Sequence, residues 1–198
     1  MALNKDSARI ILKRRRGKLS ERDRAFAALK LGANIAAFFD AKHLPDTAVV
    51  GAYWAMADEI DPRPALASLI SSGATVAFPC VHENRRMEFY HVPAQDLDRE
   101  PLPPFLADPA RSFPPSSCKG LRHIAPDELD VLLVPGLGFD RHKTRLGYGA
   151  GCYDRYLARI PERTLVVGIA FDQQLCDELE CEEHDKKMDF LLTPNVLI

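Results

Sequence analysis

An α/β fold with a largely parallel sheet is what this chain predicts, on three observations. Between residues 48 and 92, strand-like and helix-like segments alternate: AVVGAYW, a short helical stretch at 63–71, then TVAFP and MEFYHV. Strands joined by helical crossovers form parallel sheets. Val131-Leu132-Leu133-Val134 is a continuous apolar run closed by Pro135-Gly136, which reads as a short strand buried on both faces. Leu165–Phe171 is a second such run. A chain of 198 residues suits one domain with a good-sized core.

The elements follow in order. Residues 4–16 are basic and helical in pattern, and Lys5, Arg9, Lys13 and Arg16 recur at steps of four, four and three, so one helix face carries them. A solvated face is the general reading of such a run, and it is the one taken for Arg14, Arg15 and Arg16. Ser20-Glu21-Arg22-Asp23 resembles a capping box opening a second helix, whose apolar stripe is Ala25, Leu29, Gly32, Ile35, Ala36 and Phe39. Ala48–Trp54 is a strand that leads into a loop, Met56–Asp61. Pro62 suits a first helical turn, and the helix runs from Arg63 to Ser71 with Ser72-Gly73 as its stop. Thr75–Pro79 and Met87–Val92 are strands. Residues 93–118 hold Pro93, Pro101, Pro103, Pro104, Pro109, Pro114 and Pro115 without periodicity, so an extended surface segment is expected. From Cys152 the pattern is helical, with Tyr153, Tyr156, Leu157 and Ile160 at steps of three and four until Pro161. Asp172 opens a short helix as its cap, and Phe190–Thr193 is the last strand.

Composition excludes several classes. A net charge of -2 gives no footprint for bulk nucleic-acid binding. No stretch approaches the roughly 20 apolar residues of a membrane span, and the N-terminus lacks the apolar core of a secretory signal. Five scattered cysteines (Cys80, Cys118, Cys152, Cys176, Cys181) fit reduced thiols and a cytoplasmic setting better than a disulfide framework.

The chemistry concentrates between Asp130 and Arg159. After the buried strand come Gly136, Gly138, Gly147, Gly149 and Gly151, with Asp140, Arg141, Lys143 and Arg145 among them. Glycine lets backbone approach a ligand and take up positive φ. The first amides of a helix lack intrahelical partners and favour an anion. Asp154, in the first helical turn, can reach a metal that accompanies a phosphate. The functional reading is a nucleotide phosphate site with a divalent cation; an ordinary βα loop with turn glycines is the alternative. It is neither a Walker A loop nor the dinucleotide fingerprint.

VPGLGFDR followed by RLGYGAGCYDRYLAR resembles the signature of the 5-formyltetrahydrofolate cyclo-ligase family, also called 5,10-methenyltetrahydrofolate synthetases. The resemblance implies a single α/β domain over residues 1–198 with a mixed, mostly parallel sheet flanked by helices (NagB/RpiA/CoA transferase-like). It implies conversion of 5-formyltetrahydrofolate and ATP to 5,10-methenyltetrahydrofolate, ADP and phosphate in a cytoplasmic monomer, with Mg²⁺ as cofactor and no nucleic-acid or membrane partner. Lys5 and Arg9 are implied to reach the ATP phosphates, with Lys5 and Arg145 catalytic. Arg145, Gly147, Tyr148, Gly149, Ala150, Gly151, Cys152, Tyr153 and Asp154 complete the implied ATP site. Glu59, in Glu59-Ile60-Asp61, is implied to bind the pterin, and a carboxylate can accept two parallel hydrogen bonds from a 2-amino-4-oxo-pyrimidine edge. An exposed loop acid is the alternative for Glu59. Tyr53, Trp54, Met87, Tyr90 and Tyr153 are the implied substrate walls, with core packing as the alternative for Tyr53 or Trp54. Glu183-His184-Asp185 with Met188-Asp189 matches the family's C-terminal pattern, and Asp189 is implied as a second acidic Mg²⁺ contact beside Asp154.

Three positions depart from the family's usual pattern: His123 where Glu is usual, Lys143 where Gly is usual, and Cys152 in place of an aromatic residue. Cys176, Cys181 and His184 fit no compact zinc spacing, and GAGCY lacks the glycine that follows the nucleophile in an elbow motif. A non-catalytic folate or nucleotide binder, and an ATP-using enzyme of the same fold with another substrate, stay open beside the ligase.

Overall fold

A computed structural model describes residues 4–182 and 186–198. Helix α1 (Lys5–Gly17) is capped by Asn4, and α2 (Glu21–Ala41) by Ser20, which forms the expected capping box with Asp23. Then follow β1 (Val49–Gly51), α3 (Arg63–Ser72), β2 (Thr75–Val81), β3 (Met87–His91), the single-turn helices α4 (Ala94–Leu97) and α5 (Pro104–Ala107), and β4 (Arg122–Ile124). The C-terminal half holds β5 (Val131–Pro135), β6 (Gly138–Asp140), β7 (Arg145–Leu146), α6 (Cys152–Leu157), β8 (Leu165–Ile169), β9 (Leu175–Cys176) and β10 (Phe190–Leu192).

Seven strands make one mixed sheet in the order β10-β8-β5-β1-β2-β3-β4. The first five run parallel, and β3 and β4 add antiparallel at one edge. The apolar run in β5 is buried on both faces: Val131 and Leu133 join a core cluster with α2 and α3, whereas Leu132 and Val134 join one with Tyr156 and Leu157 of α6. This is the alternation a strand imposes, with each face apolar because each is covered.

Several local expectations change. The stretch after Pro135 is not all loop, for β6 and β7 pair antiparallel within it and β6 pairs with β9 as a small second sheet. Buried Asp140 organises the turn, accepting the amides of His142, Thr144 and Leu179. At Gly138 an added Cβ would collide with Leu12, so the glycine lets α1 lie directly on this sheet. Residues 93–118 are not an extended surface segment: Phe105 and Leu106 are buried and anchor it against the core. A short 3-10 helix does open at Asp172 (Asp172–Gln174), but Asp172 is not its cap; the Gln174 side chain accepts the Phe171 amide, and the Asp172 carboxylate accepts from Thr193 and Asn195. Arg16 is not on a solvated face. It follows Ala8 and Leu12 at steps of four on the stripe of α1 that packs inward, and only 1% of it is exposed. Among the described residues, no helix is long and apolar enough to cross a membrane.

Candidate active site

A cavity of about 700 Å³ opens where β1, β5 and the β2–β3 hairpin meet the loop before α6. One wall is Tyr53, Trp54, Met56 and Glu59, which follow β1. The chain leaves the sheet at Gly51, earlier than expected, and so delivers these residues to the opening. Opposite lie Arg145, the loop Gly147–Gly151, and Cys152, Tyr153 and Asp154 of α6. Val81 and Met87 close the side, and Phe105 from the proline-rich segment also lines it.

The loop conformation requires its glycines. Gly149 has φ +97°, and Gly151, the residue before α6, sits at φ +67° in the left-handed region. Among the described residues no side chain caps α6, so its first amides lie open beside the cavity.

Beneath the loop, Arg145 is almost wholly buried. It donates to Asp154 Oδ1 at 2.6 Å and to the Pro135 carbonyl at 3.3 Å, and its guanidinium lies 5.2 Å from the Tyr153 ring centroid. Its Nε has no partner among the described residues, a costly state for a buried donor. Arg9 reaches the same loop from α1, donating to the Gly147 carbonyl at 3.2 Å and packing beside Gly149. Lys5 is ion-paired with Glu182 at 2.8 Å. Neither Lys5 nor Arg9 lines the cavity.

On the facing wall, Tyr53 is 2% exposed, and its hydroxyl donates to the Ile60 carbonyl at 2.5 Å, fixing the 56–60 loop. Trp54 meets Phe78 edge-on at 5.6 Å, with the Arg63 guanidinium 5.0 Å over its ring. Glu59 is 8% exposed. Its Oε1 accepts the Tyr148 hydroxyl at 3.0 Å and its Oε2 the Met56 amide at 3.1 Å. Burial pushes its pKa up, against the hydrogen bonds from Met56 and Tyr148 and the charge of Arg16. A carboxylate with two neutral donors keeps lone pairs for a ligand edge.

Besides Lys5 and Arg9, two further predicted residues do not line the cavity. Tyr90 faces a second cleft of about 500 Å³ with His82, Arg86, Glu88 and His123, because neighbours on β3 alternate faces and Met87 takes the cavity side. Asp189 lies outside the cavity. Its carboxylate accepts the Val166 amide near the start of β8, whereas the cavity lies at the opposite, C-terminal ends of the parallel strands. His184 and Asp185 lie outside the described residues. Of the three departures, only Cys152 lines the cavity; His123 bonds Glu88 at 3.0 Å and Lys143 donates to the Asp189 carbonyl. No three metal-ligating side chains converge among the described residues. A Mg²⁺ carried by phosphates needs as few as one or two protein carboxylates, and on the loop wall of the cavity Asp154 is the one present, its Oδ1 accepting from Arg145.

Sequence reasoning missed Arg16. Its guanidinium donates to Asp58 Oδ2 from Nε at 3.1 Å and from a terminal nitrogen at 2.7 Å, and that same nitrogen donates to the Tyr148 hydroxyl at 2.7 Å. The available signal was its phase with Ala8 and Leu12, which the surrounding arginines masked.

A sequence profile of the 5-formyltetrahydrofolate cyclo-ligase family matches residues 2–194. A 5-formyltetrahydrofolate cyclo-ligase of Mycolicibacterium smegmatis is 41% identical over 96 residues, 48% of this chain and only 42% of that protein. The enzyme of that name in Escherichia coli K12 is 32% identical over 143 residues, 69% of this chain and 72% of its own. A solved 5,10-methenyltetrahydrofolate synthetase from Mycoplasma pneumoniae shares the fold at a TM-score of 0.74 and 21% identity, covering 96% of this chain and 99% of that one. With a profile match across nearly all of its length, the chain belongs to the 5-formyltetrahydrofolate cyclo-ligase family.

Proposed function

We propose that this chain, as one cyclo-ligase domain, converts 5-formyltetrahydrofolate to 5,10-methenyltetrahydrofolate and consumes ATP to ADP and phosphate. The observation that carries the reading is a single cavity with a buried carboxylate, Glu59, on one wall and a glycine loop backed by Arg145 on the other. Glu59 accepts the hydrogen-bond donors of the pterin edge, between Tyr53, Trp54 and Met87. The open amides of the loop and the charge of Arg145 receive the nucleotide phosphates. Arg9 supports the loop from behind and adds charge, and Lys5 lies on the same helix. Mg²⁺, with Asp154 as its protein contact, would neutralise phosphate charge during transfer.

A formamide oxygen is a poor leaving group. Transfer of the γ-phosphoryl group to it makes an iminium phosphate, the 10-nitrogen attacks the activated carbon, the ring closes and phosphate departs. Charge develops on the transferring phosphoryl oxygens, so the protein's contribution is alignment and electrostatic stabilisation. No covalent nucleophile is required.

The test is an absorbance time course of purified protein with 5-formyltetrahydrofolate, ATP and Mg²⁺. A rise from the conjugated methenyl product that requires both ATP and metal supports the reading. Folded protein that binds 5-formyltetrahydrofolate yet consumes no ATP would instead be a binding relative. ATP binding without pterin binding would point to another substrate.

A further inference from the structure

Arg16 has no place in the chemistry above, yet it is one of the largest fully buried side chains in the molecule. It does not line the cavity; Tyr148, which it holds, does. A guanidinium has only donors and an ionised carboxylate only acceptors. The chain of bonds from Arg16 to the Tyr148 hydroxyl (2.7 Å) and from that hydroxyl to Glu59 Oε1 (3.0 Å) therefore runs in one direction, and the hydroxyl proton has one place to point. Arg16 also grips Asp58, next to Glu59, through two donors. It thus holds the Met56–Glu59 turn twice, once directly and once through the glycine loop.

Tyr148 is flanked by Gly147 and Gly149, so its backbone gains no stiffness from neighbouring side chains. Its hydroxyl contacts, and the Arg16 guanidinium 5.6 Å from its ring centroid, hold it in place. A remaining terminal nitrogen of Arg16 has no partner among the described residues. A buried charge held this way is weak as a stabilising device, since apolar replacement of buried ion pairs is often neutral or better.

We propose that Arg16 is a positioning residue which, through Tyr148, makes occupancy of the glycine loop and occupancy of the Glu59 wall cooperative. The proposal rests on the reading that these two walls take nucleotide and folate respectively. A ligand that orders the loop fixes Tyr148 and so fixes the Glu59 carboxylate for the other ligand. Linkage makes the effect reciprocal.

Calorimetric titration of the full chain tests it. Affinity for 5-formyltetrahydrofolate is measured with and without a non-hydrolysable ATP analogue and Mg²⁺, in wild type, Tyr148→Phe, Arg16→Met, Arg16→Lys and the Arg16→Met/Tyr148→Phe double variant. In wild type the analogue tightens folate binding about tenfold. Each of Tyr148→Phe and Arg16→Met removes that enhancement, the double variant is no worse than either alone, and Arg16→Lys recovers part of it. Enhancement that survives in Tyr148→Phe, or losses that multiply in the double variant, overturns the relay. Should Arg16→Met fail to fold, Tyr148→Phe decides alone, since it deletes a single hydroxyl. Wild type that binds both ligands without enhancement sinks the relay and leaves the assigned walls standing. Wild type that does not bind folate sinks both.

Discussion

Glu59 and Glu88 are both buried glutamates, 8% and 5% exposed, yet their surroundings push them in opposite directions. At Glu88, burial alone would raise the pKa, but hydrogen bonds from His123, Arg159 and Arg86 outweigh it and hold the carboxyl down at about 2. At Glu59 burial wins, because its direct hydrogen-bond partners are a backbone amide and a phenol. Glu88 is saturated with cations and ties the hairpin to Arg159 beyond α6. Glu59 is desolvated but not saturated, the state in which a carboxylate gains most from a donor-bearing ligand. Burial alone does not mark a functional acid; unspent acceptor capacity beside a cavity does.

A third carboxylate sharpens the contrast. Asp154 borders the cavity and has one arginine partner, so replacing it tests charge where phosphates are proposed to bind. Asp154→Asn is expected to lower turnover about 100- to 1,000-fold, with the fold unchanged by circular dichroism. Turnover like that of wild type would remove Asp154 from the site. Glu59→Gln follows: losing two hydrogen bonds to a charged acceptor, at about 1.5 kcal/mol each, lowers kcat/KM about 100-fold. Its Tm should move by less than about 2 °C, since a desolvated charge is removed. Glu88→Gln should reverse the pattern. Its cationic partners are partly exposed, which discounts the loss to about 1–2 kcal/mol, a Tm drop of roughly 2–8 °C, with turnover of the folded protein unchanged.

The smallest effects are in pH. Glu88 has a folded pKa below its unfolded value, so its stabilisation is complete above about pH 4.5 and is lost as pH falls toward 2. Acid titration followed by circular dichroism should show that loss, flattened in Glu88→Gln. Glu59 has a folded pKa above its unfolded value, and its charged form is the one proposed to accept the pterin. Folate affinity should therefore begin to fall, on acidification, above the ordinary carboxylate range, and Glu59→Gln should abolish that dependence.

What was legible in the sequence follows from which forces act locally. The strand at 131–135, the capping box at Ser20 and the glycine loop carry their signals within a few residues, by apolar run, side-chain reach and backbone freedom. The cavity wall at Tyr53, Trp54 and Glu59 was reached through the family resemblance, because a loop acid carries no period. The strands β6 and β7 were hidden, since two or three residues cannot display alternation and their pairing depends on Asp140. The proline-rich segment concealed its anchors, Phe105 and Leu106, for want of periodicity. Arg16 was misread because charge was weighed above its phase on the helix, and its partners, Asp58 and Tyr148, lie 42 and 132 residues away.

The chain has one tryptophan, and it is Trp54, set in the cavity wall between Phe78 and Arg63. All of the protein's indole emission therefore originates at the wall where the pterin is expected. Indole fluorescence reads this place alone, so the molecule carries its own optical gauge of what enters the cavity, with no label to disturb it.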